Sequence, residues 1–152
     1  GFDVHKLKEN SPFFIGGVKI EHTKGAVGHS DADVLIHAIC DALLGAANLR
    51  DIGNQFPDTD PALKGIDSKI LLKKVVELVK NKGFSIGNID TTVCLQKPKI
   101  NPYIQKMKEA LASAAGIPEE DISIKATTNE KLGFIGREEG VAAYAVVLIE
   151  KK

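Results

Sequence analysis

Residues 29–41 limit the possible folds of this chain more than any other segment. Apolar residues recur there at helical spacing, and either Ser30 or Asp31 can cap the free amides of the first turn. We therefore predict a helix from about residue 32 to about residue 47, with most of its surface buried. A helix of this kind needs other elements packed around it, so we expect it at the centre of the fold.

Three polar residues interrupt this apolar helix. Asp33, His37 and Asp41 stand four positions apart, which places them on one narrow face. Because an unpaired buried imidazole or carboxylate costs free energy, we expect a metal ion, a phosphate or both as partners. Asp33 and Asp41 are expected either to orient His37 by hydrogen bonds or to cap the helix and pair with nearby lysines.

The charge balance argues against a protein that binds its partners through a general electrostatic field. The 152 residues hold 20 Lys and Arg against 20 Asp and Glu, which favours neither nucleic acid nor an anionic membrane surface. Any anion binding must therefore be local. The length fits a single domain that covers residues 1–152.

Cys40 and Cys94 are predicted to be reduced core residues. Each lies in apolar surroundings, far from any C-x-x-C pattern, which favours a reducing compartment over a disulfide. No apolar run approaches the roughly 18 residues of a membrane span, so we expect a soluble protein. Because Gly1 lies in an expected strand, we expect the native chain to begin upstream, and a removed leader stays an open alternative.

The remaining periodicity predicts an α+β fold, with a single sheet of about four strands and three helices packed on one face. Extended segments are predicted at residues 1–5, 12–20 with a bend at Gly16-Gly17, 88–96, 122–127 and 141–149. Two further helices are predicted at 67–83 and at 101–116, the latter capped by Asn101. The almost continuous apolar run 141–149 indicates burial on both faces and favours an oligomer whose sheets pack together.

Three connecting segments are predicted to lack strands and helices. Residues 21–28 are expected to form the loop that leads to the central helix. Residues 50–64 are dense in Asp, Pro and Gly, which is typical of an ordered functional loop or a mobile lid. Residues 128–140 are expected to form a glycine-rich, charged loop.

A candidate metal site joins the start of the chain to the central helix. Asp3 and His5 project from one face of an extended segment, and His37 adds a second imidazole. One carboxylate and two imidazoles suit a zinc-like divalent ion with one open position. The alternative, that both histidines merely form hydrogen bonds in the core, is more common for such a weak D-x-H pattern.

Three segments are candidates for binding phosphate. His29 and Ser30 precede the central helix, whose first amides attract anions. Lys97 and Lys99 follow a predicted strand, and residues 125–137 combine two threonines, a carboxylate and glycines suited to phosphate with Mg²⁺. The first segment has the simpler alternative of an ordinary capped helix, and the second that of solvated lysines.

Taken together, these segments resemble the 2-C-methyl-D-erythritol 2,4-cyclodiphosphate synthase family. The likeness covers essentially the whole chain, in order and at the spacing of that family. It rests on Gly1-Phe2-Asp3-Val4-His5, Ile15-Gly16-Gly17-Val18, His29-Ser30-Asp31-Ala32-Asp33 through His37, Asp41-Ala42-Leu43-Leu44-Gly45-Ala46, Asp51-Ile52-Gly53, Phe56-Pro57-Asp58-Thr59-Asp60-Pro61 and residues 125–133.

The resemblance implies a phosphorus-oxygen lyase of non-mevalonate isoprenoid biosynthesis. Such an enzyme converts 4-diphosphocytidyl-2-C-methyl-D-erythritol 2-phosphate into the cyclic diphosphate, as the substrate's 2-phosphate attacks the β-phosphorus and CMP leaves. It also implies a homotrimer with active sites between subunits, in the cytoplasm of a bacterium or a plastid-type organelle of a eukaryote. The alternatives are a non-catalytic regulatory oligomer that binds a metal and nucleotide or isoprenoid diphosphate, and a phosphodiesterase that uses water.

The resemblance also assigns roles to individual residues. It implies zinc, or a similar divalent metal, on Asp3, His5 and His37, and Mg²⁺ or Mn²⁺ on Glu130 with the diphosphate. Thr127 or Thr128 is expected to donate a hydrogen bond to the developing charge. The substrate contacts implied are His29, Ser30 and Asp58 for the erythritol phosphate end, Asp51 and Gly53 for the ribose, Leu95, Gln96, Lys97, Pro98, Lys99, Ile100, Ala126, Thr127 and Thr128 for the cytidine and diphosphate, and Phe134 and Arg137 for an axial cavity that can hold an isoprenoid diphosphate.

Three positions depart from the pattern of the family. Lys97 and Glu138 stand where small residues are common, and Asn129 stands where Thr is common. Lys97 is expected to alter the cytidine loop. Glu138 is expected to pair with Arg137 and weaken anion binding in the axial cavity.

Overall fold

Five strands form the main sheet of the computed structural model, which describes residues 1–152. The strands of the chain are β1 (Phe2–Glu9), β2 (Phe14–Ile15), β3 (Val18–Lys19), β4 (Lys24–Val27), β5 (Phe84–Cys94), β6 (Ile122–Thr127) and β7 (Gly140–Lys151). The helices are α1 (Val34–Ala46), α2 (Ile52–Gln55), α3 (Ser68–Asn81), α4 (Ile104–Ala115) and α5 (Gly133–Gly136). Single 3₁₀ turns lie at Pro61–Leu63, Asn101–Tyr103 and Glu119–Asp121.

The main sheet has the strand order β4-β1-β7-β5-β6. All neighbouring strands are antiparallel except β5 and β6, which run parallel. One row of paired residues crosses four of the strands, from Val4 through Ala142 and Cys94 to Thr127. Since neighbouring strands lie about 4.8 Å apart, the ends of this row are separated by about 14 Å.

The sheet is larger than the sequence predicts. It has five strands instead of about four, because Lys24–Val27, predicted as a loop, pairs antiparallel with β1. A strand of four residues that contains a glycine gives only a weak signal. Gly25 is required there, since a Cβ would lie 2.0 Å from the Pro12 carbonyl oxygen. The bend predicted at Gly16-Gly17 is confirmed, because β2 and β3 form a hairpin around it with both glycines at positive φ.

The caps of the helices differ partly from the prediction. The cap of α1 is Asp33, not Ser30 or Asp31, because its side chain accepts the Ile36 amide. Asn101 does not cap α4 but begins a 3₁₀ turn that precedes it. The predicted ends of α3 and α4 are confirmed, with Gly116 in the left-handed conformation after α4.

The helices cover one face of the sheet, as predicted. Helix α1 lies against β7 and β1, and its apolar residues are almost all buried. The opposite face exposes five large apolar side chains: Phe2, Val4, Tyr144, Val146 and Leu148. We call these five residues the open sheet face. A partner subunit could cover an exposed apolar surface of this kind. The oligomer itself stays a prediction.

Both cysteines are free thiols, as predicted, but Cys94 is only partly buried and does not belong to the core. Cys40 is fully buried in α1, where burial raises the pKa of its thiol. No helix of the structure is both long and apolar enough to span a membrane.

Candidate active site

Asp3, His5 and His37 come together where β1 lies against α1. Strand alternation points Asp3 and His5 towards α1, and the first turn of that helix presents His37. Asp3 Oδ2 lies 2.9 Å from His5 Nε2 and 3.1 Å from His37 Nδ1, and the two ring nitrogens are 3.1 Å apart. We call these three residues the metal cluster, because their donor atoms lie within 4.8 Å of one another.

The donor atoms of this cluster fit a cation. Burial opposes ionisation of Asp3, but hydrogen bonds from His37 and His5 outweigh it and lower the pKa of the Asp3 carboxyl. Burial also disfavours the charged form of His37, yet Asp3 raises the pKa of the His37 ring overall. Three lone-pair donors converging within hydrogen-bond distance repel one another unless a proton or a metal ion lies between them. One carboxylate and two imidazoles are a donor set that zinc accepts.

The other ring nitrogen of His37 is held by two hydroxyls. Nε2 lies 3.0 Å from Ser30 Oγ and 3.0 Å from Ser68 Oγ. Ser68 is fully buried, and its hydroxyl donates to the Asp31 carboxylate. The sequence does not predict the contacts of Ser68 and Asp31, because Ser68 stands 31 positions from His37 and reads only as the start of a helix.

Neither Asp33 nor Asp41 orients His37, so that alternative is wrong. Asp33 accepts hydrogen bonds from the amides of Gly16, Gly17 and Ile36 at 2.7 to 3.0 Å. It therefore caps α1, as the second alternative states, and also holds the β2–β3 hairpin. Burial raises the pKa of Asp33, although these amides oppose the shift. Asp41 accepts the Ile52 amide at 2.8 Å and so joins α1 to α2, without pairing with a lysine.

A cavity of about 360 Å³ opens next to the metal cluster. Of the predicted substrate residues, it is lined by His29, Ser30, Gly53 and Asp58. His29 Nε2 lies 3.2 Å from the Asp60 carbonyl oxygen, which ties the turn-rich segment after α2 to the rim. Asp51 does not line this cavity. It caps α2 instead, where its side chain accepts the Asn54 amide at 2.9 Å.

A second cavity, of about 200 Å³, lies where the parallel strands β5 and β6 end. Its lining includes almost all residues predicted to hold cytidine and diphosphate, namely Leu95, Gln96, Pro98, Lys99, Ile100, Ala126, Thr127 and Thr128. Lys97 is exposed on the same loop but does not line the cavity. Glu130 is exposed just beyond it, with its amide 3.3 Å from Thr128 Oγ1. Within one chain, therefore, Glu130 and Thr127 are not brought to the metal cluster.

Phe134 and Arg137 lie apart from both cavities. Phe134 lines a shallow depression of about 560 Å³ beside Val4 of the open sheet face. Arg137 pairs with Glu139, with Nε 2.9 Å from Oε1. The expected pair between Arg137 and Glu138 is therefore wrong, because Glu138, at positive φ, presents its carbonyl oxygen to Lys24 instead.

A comparison with known protein families now places this fold. The model of the YgbB family matches residues 1–150. This chain belongs to the YgbB family. The resemblance found from the sequence motifs is thereby confirmed, because relatives of this YgbB chain are named 2-C-methyl-D-erythritol 2,4-cyclodiphosphate synthase.

Two such relatives match nearly full length. The protein of that name from Bacteroides thetaiotaomicron is 63% identical over 151 residues, which are 99% of this chain and 95% of the relative. The protein of that name from Cytophaga hutchinsonii is 62% identical over 151 residues, with the same coverage of both chains.

Solved structures of YgbB relatives share the fold throughout. The bifunctional IspDF from Campylobacter jejuni superposes with a TM-score of 0.96 at 46% identity. It covers all of this chain, which spans only 41% of that longer protein. IspF from Plasmodium falciparum, solved as a CDP complex, superposes with a TM-score of 0.87 at 35% identity, covering 100% of this chain and 94% of that one.

Proposed function

We propose that this YgbB chain converts 4-diphosphocytidyl-2-C-methyl-D-erythritol 2-phosphate into 2-C-methyl-D-erythritol 2,4-cyclodiphosphate and CMP. The observation that carries the proposal is the metal cluster, one carboxylate and two imidazoles beside a cavity lined by His29 and Ser30. Relatives more than 60% identical over nearly the whole chain carry the name of this enzyme. A family name gives the reaction, and the site in this chain has the chemistry that the reaction needs.

The reaction is an intramolecular phosphoryl transfer. An oxygen of the 2-phosphate forms a bond to the β-phosphorus, the bond between the β-phosphorus and the bridging oxygen breaks, and the α-phosphate leaves as part of CMP. The nucleophile is already anionic, so the chain needs no strong general base. It must instead hold two mutually repelling phosphates in line.

The metal cluster would hold zinc, and Glu130 would hold Mg²⁺ or Mn²⁺ together with the diphosphate. When bound, these cations would withdraw charge from the electrophilic phosphate and from the departing CMP. Thr127 or Thr128 would donate a hydrogen bond to the same developing charge. Both threonines are exposed where β6 ends. The Thr127 hydroxyl donates to the Thr128 carbonyl oxygen at 3.1 Å, whereas that of Thr128 only accepts, from the Glu130 amide, and keeps its hydrogen for a ligand.

The remaining assignments divide the substrate between the two cavities. His29 and Ser30 would hold the 2-phosphate, and Asp58 would accept from the erythritol hydroxyls. Asp51 and Gly53 would contact the ribose, while Leu95 to Ile100 and Ala126 to Thr128 would bind cytidine and diphosphate. The CDP complex of the Plasmodium falciparum relative supports a cytidine nucleotide in this fold.

Two features support a homotrimer with active sites between subunits. The open sheet face leaves five large apolar side chains uncovered in a single chain. Thr127, which lines the second cavity, also lies about 14 Å, or three strand spacings, from Val4, which stands between Asp3 and His5 on β1. A neighbouring chain packed against the open sheet face would supply one part of the site. Phe134 and Arg137 would then line the trimer axis, where the Arg137–Glu139 pair would weaken binding of an isoprenoid diphosphate.

The test is product analysis with purified protein, substrate, zinc and Mg²⁺. We expect CMP and the cyclic diphosphate, with turnover abolished by His37→Ala and retained by His22→Ala, which removes a histidine that lines none of the cavities described above. Binding of substrate without release of CMP would favour a regulatory oligomer. A linear product would instead favour a phosphodiesterase that uses water.

A further inference from the structure

The orientation of the His37 ring depends on a buried pair that the proposed reaction does not assign. Ser68 is the first residue of α3 and is fully buried. Its hydroxyl donates to Asp31 Oδ1, and its backbone amide donates to Asp31 Oδ2 at 3.0 Å. Asp31 therefore receives both donors of Ser68 and fixes the direction in which the Ser68 hydroxyl points.

This direction determines what Ser68 can offer to His37. A hydroxyl has one hydrogen, and that of Ser68 is already used by Asp31. Only lone pairs of Ser68 Oγ remain to face His37 Nε2, at 3.0 Å. When a cation takes the Nδ1 lone pair, the single hydrogen of the neutral ring is on Nε2, and Ser68 Oγ is the buried acceptor that it meets.

Ser30 favours a lone pair on the same nitrogen instead of a hydrogen. Its Oγ accepts the Ala32 amide at 3.2 Å, and its own hydrogen has no partner except His37 Nε2, 3.0 Å away. Donation by Ser30 would place the ring hydrogen on Nδ1, where Asp3 Oδ2, 3.1 Å away, accepts it when no cation is bound. The buried Ser68–Asp31 pair opposes this, because Ser68 cannot reverse its hydrogen bond without leaving Asp31 unpaired.

We propose that Ser68 and Asp31 are positioning residues, which keep His37 protonated on Nε2 so that the Nδ1 lone pair faces the cation. The same arrangement leaves the Ser30 hydrogen free for a phosphate of the substrate. Pairs of this kind orient metal-bound histidines in general, and their loss weakens metal binding by about 10- to 100-fold. The inference rests on the proposed function, because it concerns the same metal cluster.

The experiment measures zinc affinity at fixed pH by competition with a chelator, together with the exchange rate of the His37 ring hydrogen by ¹⁵N NMR. We expect Ser68→Ala and Asp31→Asn to weaken zinc binding by about 10- to 100-fold. In the zinc-loaded wild type, where Nδ1 binds the metal, the Nε2 hydrogen of His37 should give a ring N–H signal that exchanges slowly with solvent, because Ser68 Oγ accepts it. In both variants this ring hydrogen should exchange rapidly, which a purely structural role would not cause.

Asp67→Asn is the matched control. Asp67 precedes Ser68 and caps α3, but it does not touch His37, and asparagine caps a helix equally well. It should leave zinc affinity and the exchange rate of the His37 ring hydrogen unchanged. If Ser68→Ala fails to fold by circular dichroism, Asp31→Asn decides the question. Unchanged zinc affinity and an unchanged exchange rate of the ring hydrogen in a folded variant would overturn this inference alone, whereas a wild type that binds no zinc would overturn the proposed function as well.

Discussion

Asp33 accepts three backbone hydrogen bonds although its side chain is fully buried. Two of them come from consecutive glycine amides of the β2–β3 turn, and the third comes from the first turn of α1. One carboxylate thus joins a hairpin to the central helix. The residue is necessary to the fold even though it lies four positions from a metal-cluster residue on the same helix.

Replacing Asp33 by alanine should lower the free energy of unfolding by about 2–4 kcal/mol, because three buried amides lose their acceptor. The gain from removing a carboxyl whose pKa is raised by burial offsets only part of this loss. Urea unfolding measures the change. Asp41→Ala, which frees a single amide, is the control and should cost about 1 kcal/mol. Equal losses in both variants would contradict this account of Asp33.

The metal cluster predicts how zinc stabilisation depends on pH. The raised pKa of His37 adds stability to the metal-free protein below its ordinary value of 6.5, and this is lost as pH rises through the raised pKa. The lowered pKa of Asp3 adds stability above its ordinary value of 3.8, lost as pH falls. Together these two groups stabilise the folded metal-free protein most between pH 3.8 and pH 6.5.

Zinc must displace the proton on His37. The increase in Tm that zinc causes should therefore grow as pH rises above about 6.5. Thermal unfolding with and without zinc across a pH series measures this gain. The same series on His37→Ala is the control and should show little gain at any pH. A gain in the wild type that does not change with pH would show that zinc binds elsewhere.

At the scale of elements, period and turn chemistry were sufficient to predict the long helices and to locate the β2–β3 hairpin. Strand β4 was missed because it depends on Gly25 fitting against the backbone at Pro12, which no local pattern records. The cap of α1 was misplaced for a similar reason. Asp31, a good cap by sequence, is engaged by Ser68 of a helix 37 positions away.

Two glycines in different elements should respond oppositely to alanine. Gly25→Ala should be strongly destabilising, because its Cβ would lie 2.0 Å from the Pro12 carbonyl oxygen in an edge strand. Gly45→Ala in α1 should add about 0.5–1 kcal/mol, since no atom lies within 4 Å of the new Cβ and alanine favours a helix. Chemical denaturation measures both. Stabilisation by Gly25→Ala would contradict the packing of β4 against this loop.

At the scale of the whole molecule, a single chain leaves one sheet face uncovered and the two parts of the candidate site apart. The open sheet face is apolar and uncovered, and the cavity where β5 and β6 end is separate from the metal cluster. The apolar run 141–149 predicts, from sequence alone, that this face of the sheet is covered in an oligomer. The sequence could not give the separation of the two cavities, because it depends on the strand order β1-β7-β5-β6.

Val146→Asp should therefore dissociate the oligomer and abolish turnover together. Val146 is 71% exposed in the centre of the open sheet face, and a buried unpaired carboxylate there would strongly oppose association. Analytical ultracentrifugation measures the state of association. Ile70→Asp, on α3 away from that face, is the control and should keep both assembly and activity. A Val146→Asp protein that stays assembled, or is active as a monomer, would contradict an active site formed between subunits at this face.

The central claim is that Asp3, His5 and His37 hold one divalent cation. Anomalous diffraction at the zinc edge, from crystals of the zinc-loaded protein, tests it most directly. The account predicts one strong peak per chain, about 2.0–2.2 Å from a carboxylate oxygen of Asp3, from His5 Nε2 and from His37 Nδ1. Three side chains joined only by hydrogen bonds, with no peak between them, would contradict it.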